Sequence, residues 1–143
     1  MKTIALRFAN NFAPVSGTIA EHQKIIDELG YVWYGKLGAA VSDAVSQQIL
    51  NNSDSRILLI HSGSANRYWA YVDAIQHEIP ETAAIPAYYR DMAASFRTWF
   101  RIIRFEDAPK DILSKCTVAS SGSSLSQASK HSMSPYFIIE VNE

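Results

Sequence analysis

The sequence predicts an α+β fold: a curved or closed, largely antiparallel sheet of five or six strands flanked by two or three helices. Two observations carry that expectation. Runs rich in β-branched and aromatic residues follow one another with only turn residues between them, RILLIHSG and RYWAYVDAIQHEI being the clearest pair. Only two long segments, 17–30 and 39–51, place apolar residues at helical spacing. With 143 residues, 48% of them apolar and 19% charged, the chain reads as one domain, 1–143, whose core needs no staples.

In chain order, TIALRF at 3–8 alternates bulky and polar residues and reads as a strand. GTIAEHQKIIDELG reads as a helix, with Thr18 as N-cap, Glu21 three residues on, and Gly30 as a left-handed stop. YVWYGKLG is an aromatic strand broken by glycines; Tyr31 and Trp33 share one face, Tyr34 and Lys36 the other. AAVSDAVSQQILN is the second helix, and NNSDS the turn into a hairpin made by RILLIHSG and RYWAYVDAIQHEI. Pro80 and Pro86 mark a loop.

Residues 90–105 read two ways. The arginines at 90, 97, 101 and 104 fall at helical intervals, whereas TWFRIIRF is rich in strand formers. Loop or short helix to about Ser95 and strand from about Thr98 is the reading taken here. Residues 107–113 form a short helix opened by Pro109. Nine serines at 114–134 have the composition of a flexible loop, and SPYFIIEV closes the chain as a strand.

The composition excludes several classes of function. A net charge of −1 rules out a uniformly basic clamp for nucleic acid or anionic lipid. The single cysteine, Cys116, allows neither an internal disulfide nor a multi-thiolate zinc site. The four histidines lack metal-ligand spacing, so no metal and no cofactor are expected. No apolar run nears the ~18–20 residues of a membrane helix, which leaves a cytoplasmic protein as the default. Walker, dinucleotide and nucleophile-elbow signatures are missing. A hydrolytic set from Ser62 or Ser64 with His61 or His131 can be drawn. However, His61 and Ser62 point to opposite faces of a strand.

The aromatics are more informative. Trp33, Trp69 and Trp99, with Arg97 and Arg101 flanking the last and small residues nearby, are the parts of a base-stacking pocket. The arginines could equally pair with Asp91, Glu106 and Asp107 as a solvated charged face.

The order of segments resembles the PUA-like superfamily and is most similar to its EVE and YTH-type readers of modified bases. Trp33-Tyr34-Gly35-Lys36 and the helix after it resemble the W-x-G segment of EVE domains. ILLIHSGS resembles the family's strand ending in an aliphatic-His-Ser pattern, and TWFRIIRFEDAPKDIL its long strand and proline bend. The first strand carries no tryptophan and the second helix lacks the Arg-Asn pair common in EVE domains. By resemblance, Trp33, Gly35 and Ser62 are pocket candidates; Trp69, Arg97, Trp99 and Arg101 join them on physical grounds.

The resemblance implies a barrel-like sheet with a pocket for a flipped-out, modified base, in DNA or RNA, and no membrane partner. One alternative is an amidohydrolase acting on a modified nucleoside, as in the ASCH relatives, with Lys36 catalytic and Thr98 or Glu106 as its partner. Another is a protein-interaction module, including a homodimer, docking through exposed aromatics.

Overall fold

The computed structural model describes residues 1–132 and 134–142. Its strands are β1 (Lys2–Phe8), β2 (Val32–Lys36), β3 (Arg56–His61), β4 (Arg67–Gln76), β5 (Thr98–Asp107), β6 (Cys116–Val118) and β7 (Tyr136–Val141). Its α-helices are α1 (Thr18–Leu29), α2 (Asp43–Leu50) and α3 (Leu125–His131). All seven strands join one sheet in the order β2-β5-β4-β3-β1-β7-β6. Every pairing is antiparallel except β1 with β3, where Leu6 lies opposite Leu59.

Both faces of this sheet carry packed apolar clusters. One face carries Ile4, Leu6, Ile57, Leu59, Val72, Phe100 and Ile102, packed with Ile49 of α2 and with Ile19, Ile25 and Ile26 of α1. The other face divides in two. Leu58, Ile60, Trp69, Tyr71 and Ile139 meet Ile112, Leu113 and Leu125 of α3. Trp33 and Trp99 meet the 3-10 helix Ala87–Ser95 and Phe96.

The sheet curls strongly. β2 holds the first place in the order and β7 the sixth, which in a flat sheet would set them roughly 24 Å apart. Yet the Lys36 ammonium lies 4.2 Å from the centroid of the Tyr136 ring, so the two strands face each other across a narrow gap. Among the described residues no ladder bridges that gap, and the closed form of the expected sheet is not what is found. The right-handed twist brings the edges together, but β2, only five residues long, keeps an open edge.

Other expectations also change. Among the described residues there are seven strands rather than five or six, because the serine-rich tract holds the three-residue β6. The same tract forms α3, with Ser124 as N-cap accepting from the Gln127 N–H at 3.2 Å, where a flexible loop was expected. Gly17, not Thr18, caps α1, and the Thr18 hydroxyl turns instead to the Ala9 carbonyl. Gly30 ends α1 at φ 86°, as its sequence position implies. Residues 112–115 rather than 107–113 make the short helix, since β5 runs on to Asp107. The arginine- and tryptophan-bearing segment is strand from Thr98, preceded by helical turns to Ser95.

Candidate functional site

A cavity of about 270 Å³ lies in the gap along the open edge of β2. Tyr34, Gly35, Lys36 and Leu37 form one side, and Leu6, Arg7 and Phe8 of β1 with Pro135 the other. Tyr88, Tyr89, Met92 and Phe96 make the floor, and Phe12 and Ala13 of the loop after β1 stand at the mouth. The volume falls just below the ~300–1,000 Å³ range of drug-sized sites, so it suits a single ring system rather than a dinucleotide.

The walls are aromatic and held by further rings. Phe96 packs 4.6 Å from Tyr89 and 5.1 Å from Trp99, centroid to centroid. His22, fully buried in α1, lies 5.1 Å from both Tyr34 and Tyr89. Its Nδ1 donates to the Thr18 carbonyl at 2.8 Å, leaving Nε2 buried without a partner among the described residues. Burial accordingly drives its pKa down to about 4. Burial raises the phenols of Tyr34 and Tyr89 above their ordinary value, although the Gly35 backbone N–H opposes this at Tyr89. Both rings and His22 are thus neutral at pH 7.

Gly35 has a specific reason to be glycine. A Cβ there would stand 2.6 Å from Cγ of Phe96, inside any allowed contact, so the bare backbone admits the Phe96 ring as a wall.

Charge at the cavity is of one sign. Lys36 and Arg7 line it, and among the described residues no Asp or Glu does. The Lys36 ammonium donates to the carbonyls of Leu37 (3.1 Å) and Ala39 (2.5 Å) and sits over Tyr136, and burial lowers its pKa. Arg7 donates to the carbonyls of Ser129, Ser132 and Ser134, holding the C-terminal end of α3 against β1. A neutral or electron-rich ligand fits this field better than a cation does.

Of the seven residues singled out in the sequence, Gly35 alone lines the cavity. Arg97 adjoins it: its backbone N–H donates to the Lys36 carbonyl, and its exposed side chain follows Phe96. Trp99 is wholly buried and backs the wall, while Trp33 shares its cluster. Trp69 is 2% exposed on the α3 side, beneath the Arg56 guanidinium at 4.3 Å. Ser62 is exposed beyond β3, its N–H donating to the Phe8 carbonyl. Arg101 lies over Tyr31 at 4.2 Å and 3.6 Å from Asp73. The tryptophans are therefore core and not walls, because this sheet is buried on both faces. The walls are tyrosines and phenylalanines that Tyr34 alone hinted at.

The catalytic alternatives are constrained as well. Thr98, opposite Lys36, is fully buried, and its hydroxyl oxygen accepts from the Val41 N–H at 2.9 Å. Glu106 lies eight residues further along β5, roughly 26 Å away, and accepts from Tyr71 and Arg104. His61 does meet Ser64, at 2.7 Å from Nδ1. The proton is on the wrong atom, however. The Thr18 N–H donates to Asn10 Oδ1, which orients the Asn10 amide nitrogen toward His61 Nε2 at 3.0 Å. Nε2 therefore accepts, so Nδ1 carries the hydrogen and donates to Ser64, and His61 is no base for that hydroxyl. Among the described residues no three His, Cys, Asp or Glu side chains group as metal ligands, and no helix is long and apolar enough to cross a membrane.

The Pua-like sequence profile matches residues 4–138, from β1 into β7. The chain belongs to the Pua-like family. Neither the curated proteins nor the solved structures gave a match. In this Pua-like chain, the family profile thus spans every strand that frames the cavity.

Proposed function

We propose that this Pua-like chain is a nucleic-acid-binding module that accepts one unpaired, modified base in the cavity along β2. The observation that carries the reading is a ring-sized recess walled by Tyr34, Tyr89 and Phe96, with Lys36 beside it and no carboxylate in its lining among the described residues. Pua-like domains generally bind nucleic acids. Stacking a base on aromatic rings is worth roughly 1–3 kcal/mol, and a modification that adds apolar area strengthens it. Arg90 and Arg97 are exposed and in no ion pair among the described residues, and each directly follows a floor residue in the chain, Tyr89 and Phe96, so a phosphate backbone passing there would meet them. In this reading Gly35 lines the pocket, Arg97 stands beside it, and Tyr34, Tyr89 and Phe96 take the stacking role first given to the tryptophans. EVE- and YTH-type recognition is the finer form of the same proposal.

The test is a salt-dependent titration of labelled single strands with and without a modified base. Tyr34→Ala should remove the preference for the modified base. Absence of binding at low salt to every strand overturns the reading.

The amidohydrolase reading retains one supporting observation, the presence of Lys36 in the wall with its pKa lowered by burial. It predicts turnover of an N-acylated nucleoside that Lys36→Ala abolishes. Turnover that survives the substitution removes Lys36 from the chemistry.

A further inference from the structure

The loop between β1 and α1 exposes a ring that the fold does not need. Phe12 is 69% exposed at the cavity mouth, where a buried side chain would contribute far more to the core. The loop that carries it is nevertheless tied down. Its own backbone closes two turns, Ala13 N–H to the Asn10 carbonyl and Gly17 N–H to the Pro14 carbonyl. Asn10 then clasps it on two sides, to the first residue of α1 and to His61 at the end of β3. Leu37, 45% exposed, lines the opposite side of the same mouth.

Resting on the reading above, we infer that Phe12 is a fixed stacking platform for the base adjacent to the one in the cavity. The ligand is then a single strand, not an isolated nucleoside. A phenyl ring held at the mouth faces the neighbouring base as it leaves the recess, and every base offers a π-face to it. Two exposed arginines in no ion pair among the described residues, Arg90 and Arg97, suit a short stretch of single strand better than the many phosphates of a duplex. Asn10 contributes by positioning: it keeps the ring in place before binding, so little ordering entropy is lost on contact.

The test compares two probes, 2-aminopurine riboside and a short DNA strand carrying a single central 2-aminopurine, by fluorescence titration. In the unaltered protein the strand binds more tightly than the riboside. Phe12→Ala should lower the strand-to-riboside affinity ratio by roughly 5- to 150-fold, the worth of one base–aromatic stack, and Phe12→Trp should restore it. Asn10→Ala, which leaves the ring but frees the loop, should lower the same ratio. If Phe12→Ala weakens both probes equally, or neither, the platform is refuted while the cavity reading stands. If the unaltered protein binds neither probe, the cavity reading falls and the platform with it.

Discussion

Gly35→Ala tests how tightly the cavity wall is built. The added Cβ would meet Cγ, Cδ2 and Cδ1 of Phe96 at 2.6, 2.7 and 2.9 Å, against an ordinary contact beginning at 3.4 Å. The ring must recede by almost an ångström, and Tyr89 and Trp99 stand close behind it. Overpacking of this kind costs about 1–3 kcal/mol. Replacing a strand glycine by alanine returns about 0.5–1 kcal/mol in chain entropy. At the midpoints of these ranges the net loss is about 1.2 kcal/mol, which for 143 residues lowers Tm by about 4 °C. Differential scanning calorimetry measures it. Adding Phe96→Leu to the variant should recover most of the loss, since the smaller side chain vacates the contested space. An unchanged Tm, or a double variant whose losses simply add, would refute the proposed contact.

Three further outcomes follow from the same geometry. His22 has a folded-state pKa of about 4 against about 6.5 unfolded, so the unfolded chain binds the extra proton first. Its contribution is complete above pH 6.5 and is lost as pH falls toward 4, about 2 kcal/mol being gone at pH 5. Urea midpoints at pH 7 and pH 5 check this, and His22→Phe should remove most of the difference. Arg7→Ala strips charged donors from three carbonyls at the end of α3, so amide exchange there should quicken, with a stability loss of about 2 kcal/mol. Lys36→Met keeps the apolar stem but loses the ammonium that spans the gap to Tyr136. Exchange should then rise together in β2 and β7 and stay unchanged in β4.

Much of the fold was legible because local rules and tertiary packing agree. Gly30 stops a helix with a matching apolar stripe, and the strand formers from Thr98 do form a strand that sends Trp99 to one packed cluster and Phe100 and Ile102 to another. The face pairings also held: Trp33 packs opposite Tyr34 across the strand. Alternation says which residues share a face, but not which face is left open. Here both are covered, so Trp69 and Trp99, attractive as ring walls, became core. β6 escaped because three residues inside a serine-rich tract carry no period, and because Ser124 acts as a cap instead of marking a flexible loop. The cavity itself joins β1, β2, Pro135 and the Ala87–Ser95 helix, elements far apart in sequence that only the curl of the sheet brings together. One local signal was available: YY followed by SF, just before a strand, places Tyr88, Tyr89 and Phe96 on the element that becomes the floor.

The central claim is that a base enters the seam along β2. Backbone amide shifts of the labelled protein, recorded while a single strand carrying a modified base is added, test it most directly. The account predicts that the shifts concentrate at Tyr34, Gly35, Lys36, Tyr89 and Phe96. Saturable shifts confined to α3 and the Trp69 side of the sheet, with the β2 edge silent, would contradict it.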